Sequence, residues 1–304
     1  MLAMDLEGKL TMNRALTELL EALRVDRLEE NLFRGPSHDL GFGRVFGGTL
    51  LAQSLAAAAQ TVPSERQVHS LHAYFLNKGD VRQSVSYQVE RLRDGGNASV
   101  RRVMASQEGR PTFVLMASFQ ADIEGLEYAD AMPSTVSPED VAPDAEAWRR
   151  YSHLLPETLR ARVMNEQPLD FRTIDPTDPF VPKKQSPDQS IWFRTTDPLP
   201  SDPLIHRCLL AYCSDFGLLG AALRPHGYSD YDPRLRLASI DHAVWFHRPF
   251  RADEWLLHVM HSCSSASGRC VVRGNVFSRD GRLVASTAQE GLLRDLTKAR
   301  GTEP

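Results

Sequence analysis

Read along the chain, the apolar positions change period in an order that occurs twice. From about Thr11 to Glu30, leucines alternate with Glu and Arg at helical spacing, which predicts an amphipathic helix or a pair of short ones. A glycine-rich approach (Gly41, Gly43, Gly47, Gly48) then opens an alanine-rich helix over about Thr49–Gln60, small enough on its surface for a curled sheet to wrap it closely. Beyond Pro63 the texture changes to short runs rich in Val, Tyr and Phe: VHSLHAYFLN, VSYQVERLRDG, SVRRVMASQEG and PTFVLMASFQAD. Asp-Gly and Glu-Gly turns punctuate them, as in hairpins. A helix followed by at least four antiparallel strands is thus predicted, an α+β unit with one sheet face on the helix.

From Glu124 to about Gln189 the chain is proline- and acid-rich, a connector with one helix expected near Ala145–Met164. Strand texture resumes at SIWFRTTDP. A second helical stretch follows, and then WLLHVMHSCSSA, CVVRGNVFSRDG and LVASTAQEGLLRD. The order is helix then strands once more, so an internal repeat is the economical account. In it Leu71-His72-Ala73-Tyr74-Phe75 aligns with Asp241-His242-Ala243-Val244-Trp245-Phe246, and the turn at Gly109 with that at Gly281. The expected organisation is an N-terminal unit at 1–125, a connector at 126–189, a C-terminal unit at 190–296 and a tail at 297–304.

The second helical stretch carries the candidate chemistry. Ile205, Cys208, Tyr212, Phe216, Leu219 and Leu223 recur at three- and four-residue spacing, which predicts one helix from about Leu204 to Leu223. Asp215 lies inside that stripe. A carboxylate on an apolar face is costly unless it is paired, hydrogen-bonded or used for chemistry. A structural pair with Arg207 or a histidine is the plain alternative.

Composition narrows the function classes. With 304 residues, 42% hydrophobic and 24% charged, the chain is an ordinary globular protein of one large or two small domains. A net charge of -4 gives no overall attraction for nucleic acid or anionic lipid, so an anionic ligand needs a local basic site. No apolar run reaches the roughly 18 residues of a membrane span. The N-terminal stretch has no secretion-signal pattern and the C-terminal KARGTEP lacks a Ser-Lys-Leu address, so a cytoplasmic location is expected. Cys208, Cys213, Cys263 and Cys270 form no CxxC pair and read as reduced thiols. The ten histidines form no metal-ligand spacing, and no metal or other cofactor is expected. The glycines around Gly47 match neither a Walker loop nor a dinucleotide fingerprint, and close backbone approach is the favoured reading over a phosphate cradle.

The segments ENLFRGPSHDLGFGRVFGGTLLAQSL, VHSLHAYFLNKGD, RRVMASQEGRPTFVLMASFQ, AYCSDFGLL, IDHAVWFHRPF, WLLHV and GRLVASTAQEGLLRD, in that order, resemble the acyl-CoA thioesterase II family of double-hotdog enzymes. The resemblance implies two tandem hotdog units, each a central helix wrapped by a curved antiparallel sheet. It implies hydrolysis of acyl-CoA, without metal or prosthetic group, by a water that an aspartate, a hydroxyl residue and a glutamine position. Those positions here are Asp215, Ser239 and Gln289, with serine standing where threonine is common in the family. It also favours a homo-oligomer. No Gly-x-Ser-x-Gly elbow is present, so direct attack by water is expected rather than an acyl-enzyme.

Neighbouring residues have competing readings. Asp241 and His242 cannot both face one site without a bulge, and the match of His242 to His72 points to a shared packing role. Gln53 is a candidate polar remnant of Asp215 in the first unit. Phe113, Leu115, Trp245 and Phe246 line an acyl pocket or form core. Arg44, Arg101, Arg102, Arg248 and Arg273 are the candidates for the anionic head of coenzyme A. The rivals to a thioesterase are an enoyl-CoA hydratase-type lyase on the same scaffold and a non-enzymatic acyl-CoA binder.

Overall fold

The computed structural model describes residues 12–41 and 43–297, so the expected helix start at Thr11 and the tail beyond Thr297 lie outside the described residues. The N-terminal unit contains α1 (Arg14–Leu23), β1 (Asp26–Glu29), β2 (Leu32–Gly35), α2 (Gly47–Ala59), β3 (Arg66–Phe75), β4 (Val85–Asp94), β5 (Ala98–Gln107) and β6 (Arg110–Ala121). Asn13 caps α1, its side chain accepting from the amides of Ala15 and Leu16. The helix stops at Leu23, short of Glu30, because Arg24 is extended. The polar run after it pairs as a β1–β2 hairpin with Arg27 opposite Phe33.

The connector holds α3 (Asp144–Arg150), α4 (Glu157–Met164) and β7 (Leu169–Ile174). Where one helix was expected, a 3₁₀ turn at Ser152–Leu154 and Pro156 divide it in two. The C-terminal unit follows with β8 (Asp188–Thr195), α5 (Pro203–Cys213), α6 (Gly220–Leu223), β9 (Leu235–Ser239), β10 (Asp241–Phe246), β11 (Leu256–Ala266), β12 (Arg269–Ser278) and β13 (Leu283–Asp295). Asp202 caps α5 with Pro203 at its first position, a strong start signal.

The thirteen strands of the described residues join in one sheet of order β1-β2-β4-β5-β6-β3-β10-β13-β12-β11-β8-β7, with β9 alongside β13. The units fuse where β3 and β10 pair antiparallel, His72 opposite Ala243. Inside the curve α2 packs on α5, and a single apolar core runs from Leu51, Ala52 and Leu55 through Leu209, Leu210 and Ala211 to Val284. Small residues let the two helices touch. A methyl group on Gly48 would lie 2.4 Å from the Tyr212 carbonyl oxygen, so the favoured reading of this glycine, close backbone approach, describes what it does. One continuous antiparallel sheet, built from two fused halves and wrapping two central helices, is the double hotdog architecture.

Candidate active site

The helix expected through Leu223 ends at Cys213. The Ser214 hydroxyl donates to Ala211 O at 2.9 Å, and Gly217, at φ 72°, swings the chain round before α6 resumes. Asp215 therefore sits in a break between two helices rather than on a continuous stripe. The break faces the start of α2, whose N-cap residue Phe46 makes no side-chain cap bond. The amide of Gly48 donates to Asp215 instead. A methyl group on Gly47 would lie 2.6 Å from Asp215 Oδ2. The acid of one unit thus caps the central helix of the other, and the positive end of that helix points at it.

Gln289 on β13 meets this carboxylate. Its Nε2 donates to Asp215 Oδ1 at 2.8 Å and lies 3.1 Å from both Ser239 Oγ and His242 Nδ1. Two amide hydrogens are thus shared among three acceptors. Ser239 and His242 are three residues apart and would face opposite sides of a regular strand. Pairing against β13 explains their meeting. Ser239 sits opposite Gly291 and Ala243 opposite Ala288, so four steps of one strand cover three of the other. The extra residue is a bulge at the β9–β10 junction, and it turns both side chains toward Gln289. Asp241 points elsewhere, accepting from the Glu290 amide at 2.6 Å, as alternation requires.

Burial sets the charge states. The Asp215 side chain is 6% exposed, and desolvation pushes its pKa up to about 6 against the opposing pull of Gln289, the Gly48 amide and the Arg44 charge. His242 is pushed down to about 3, first by burial and then by the nearby His258. Its Nε2 lies 2.8 Å from Ser214 Oγ, whose own hydrogen goes to Ala211 O. The imidazole is therefore neutral, donating from Nε2 and accepting at Nδ1 from Gln289. The 3.9 Å approach of His242 to Asp215 is consequently no ion pair. Gln289 Oε1 is buried and has no hydrogen-bond partner among the described residues.

Several expectations are corrected by the side chains. His72 is exposed on the outer face while His242 is buried, so aligning the two halves on these histidines is off by an odd step and the shared packing role fails. Ser214 and His242 are the residues the sequence reading missed, and the strand alternation of His242 with buried Val244 and Phe246 was the available signal. Arg207 donates to Gln67 at 2.6 Å rather than pairing with Asp215. Gln53 serves no second site: it bonds Ala22 O, Pro36 O and the Tyr87 hydroxyl. Phe113 and Leu115 are fully buried core, and Trp245 meets His72 edge-on across the sheet's outer face. Arg101 is 1% exposed and locked to Thr61 and Asp94, which removes it as a ligand for a coenzyme head. Arg102 pairs with Glu90, and Arg248 bonds Leu283 O and Glu127. Arg44 and Arg273 remain exposed.

Among the described residues, no group of histidines, cysteines and acids is placed to hold a metal ion, and no helix is long and apolar enough to cross a membrane. The model of the acyl-CoA thioesterase family matches residues 159–292, and that of the acyl-CoA thioesterase N-terminal domain matches residues 35–120. The chain is 40% identical to acyl-CoA thioesterase 2 of Haemophilus influenzae over 283 residues, 93% of this chain and 99% of that protein. It is 36% identical to human acyl-coenzyme A thioesterase 8 over 90% of its length and 87% of that protein's. The crystal structure of an acyl-CoA thioesterase II, TesB2, from Mycobacterium marinum superposes with a TM-score of 0.75 at 40% identity, covering 94% of this chain and 100% of that one. With the duplicated fold, both family models and full-length relatives in agreement, the chain belongs to the acyl-CoA thioesterase II family of double-hotdog proteins.

Proposed function

We propose that this protein hydrolyses fatty acyl-CoA to free fatty acid and coenzyme A by direct attack of a water held by Asp215, Ser239 and Gln289. The observation that carries the reading is the Asp215–Gln289 pair, a nearly dry carboxylate beside an amide whose oxygen is unpartnered. With its pKa at about 6, Asp215 is mostly ionised at pH 7 yet close enough to working pH to take a proton. The water donates one hydrogen to this carboxylate, and the Gln289 carbonyl oxygen and Ser239 hydroxyl fix its remaining contacts. Its oxygen attacks the thioester carbon while Asp215 takes the proton. The tetrahedral adduct then collapses with cleavage of the C–S bond. Asp215 returns the proton to the departing thiolate, whose parent thiol, at a pKa of roughly 8.5, is the weaker acid. The start of α2, whose Gly48 amide already donates to Asp215, directs the positive end of its dipole at the site and favours the developing oxyanion through it.

A thiol nucleophile is disfavoured because burial pushes Cys208 up to about 12 and Cys213 higher still. Four free thiols suit a reducing compartment, which supports the cytoplasm. The β1 edge, exposed along its length, supports pairing with a second copy in a homo-oligomer. The test is release of free thiol across a chain-length series of saturated acyl-CoAs. Turnover of at least part of the series is expected. Formation of 3-hydroxyacyl-CoA from an enoyl-CoA without thiol release would replace this reading with a hydratase, and tight binding without turnover would replace it with a carrier.

A further inference from the structure

We infer that the cavity between the loop 76–83 and Gly43 receives the phosphate-bearing head of coenzyme A, an inference that rests on the hydrolase reading above for its ligand. The cavity measures about 330 Å³ and is lined by Gly43, Lys78, Gly79, Asp80, Val81 and Arg82. Its loop is built rather than loose. Gln107, buried beneath it, donates to Asp80 O and Gln83 O at 2.8 Å each and accepts from the Asp80 amide at 2.8 Å. The Val45 amide donates to Gly79 O at 3.2 Å, and a methyl group on Gly79 would lie 2.8 Å from the Val45 side chain. Loop and glycine approach therefore form one wall that leads directly into α2.

Charge and reach both fit. Lys78 and Arg82 line the cavity, Arg44 follows Gly43, and Arg110 bonds Asn77 beside Lys78. Of the residues that line the cavity, two are cations, Lys78 and Arg82, and one is a carboxylate, Asp80, which pairs with Arg82. The lining thus carries one positive charge in excess on a chain whose net charge is -4. The Arg82 side chain is 84% exposed, and a surface pair of this kind yields readily to a phosphate. Gly43 stands four residues before Gly47, at most roughly 14 Å of chain, and Gly47 abuts Asp215. An extended pantetheine arm spans about 15 Å between thioester and pyrophosphate by the same bond lengths. The pocket therefore lies within reach of the phosphates of a thioester placed at Asp215.

The test has a binding arm and a kinetic arm. Calorimetry with adenosine 3′,5′-bisphosphate, the head group without the arm, compares the wild-type chain with Lys78→Gln/Arg82→Gln. Roughly tenfold weaker binding by the variant is expected, whether or not any thioester is hydrolysed. Undiminished binding overturns the pocket and leaves the hydrolase reading standing. In the kinetic arm, the ratio of kcat/KM for an acyl-CoA to that for the matching acyl-pantetheine should fall about tenfold in the variant, through KM. On the wild-type chain alone, salt raised from about 50 to about 500 mM should lower kcat/KM for the CoA thioester more than for the pantetheine thioester. Equal salt dependence of the two substrates, or an unchanged ratio in the variant, overturns the assignment.

Discussion

Replacing Asp215 with asparagine should separate activity from stability in opposite directions. Asparagine has nearly the same shape and is as good a helix cap, so its one oxygen keeps the bond from the Gly48 amide while the Gln289 amide turns over to present Oε1 to its Nδ2. Lost is the base: hydrolysis should fall by roughly 10² to 10⁴-fold, about 3 to 5 kcal/mol of barrier. Stability should rise. Burial lifts the Asp215 pKa from 3.8 to about 6, so the folded state binds its proton more tightly than the unfolded chain does. The ionised carboxylate therefore opposes folding, by an amount that grows as pH rises from about 4 to about 6 and is then constant. Two pH units amount to roughly 3 kcal/mol, an upper figure because the side chain keeps some contact with water. The Asp215→Asn chain should consequently melt a few degrees above the wild type at pH 7.5, and the difference should vanish near pH 4. Thermal melts at the two pH values and thiol release at saturating acyl-CoA are the assays. A variant that hydrolyses at the wild-type rate, or one that melts lower at pH 7.5 than at pH 4 relative to wild type, refutes the reasoning.

Gln289→Ala removes the bond that holds Asp215 ionised, so the acid limb of the kcat/KM profile should move above pH 6 while activity drops about 10²-fold; an unmoved limb in a pH–rate series counts against the pair. His242→Leu deletes the acceptor that keeps the Gln289 amide hydrogens turned inward, and kcat should fall roughly tenfold with KM little changed. His242→Asn, which keeps a short acceptor, should recover part of that loss, and equal defects in both would make His242 a packing residue only. Ser239→Ala should lower kcat roughly tenfold and Ser239→Thr should retain it, as steady-state assays of both variants can check. Gly48→Ala should destabilise the chain by at least about 2 kcal/mol in a denaturant titration, since its methyl would meet the Tyr212 carbonyl, which backbone packing cannot easily move.

Periodicity carried the fold far and stopped at particular residues for physical reasons. The runs after Pro63 became β3 to β6 within a residue or two because each has one buried face and a turn at its end. Strand β7 went unseen since, apart from Leu169, its residues are half-exposed, leaving no alternation to detect. The apolar stripe from Ile205 to Leu223 read as one helix because spacing reports which side chains face inward, and these face inward on both sides of a break. Only the glycine at 217 marked the turn. Of the site, Asp215, Ser239 and Gln289 were visible through family resemblance, and the structure brings the three within hydrogen-bond reach. Strand alternation, which makes neighbours oppose each other, argues against His242 beside Asp241 in one site. The rule holds for Asp241. The bulge that brings Ser239 and His242 to one face depends on the pairing partner, which lies some fifty residues away and leaves no local trace.

The duplication itself bears on the chemistry. Asp215, Ser239, His242 and Gln289 all belong to the second half, yet the helix end that faces the acid is the first half's α2. Neither half alone would assemble the arrangement. Without α2 the carboxylate would be open to water and its pKa would fall back toward that of a free aspartate. Without the second half, α2 would present uncapped amides to solvent. Fusion through β3 and β10 holds the helix start and the acid at a fixed separation, which the proposed attack by a single positioned water requires. The first half's Gln53 and Tyr87 are sealed against each other and against α1, so the unit retains a buried polar cluster but no open one. In the proposed mechanism one half supplies the reacting groups and the other the dry wall and dipole, and Gly48 lets the two helices cross closely enough for both to meet at one site.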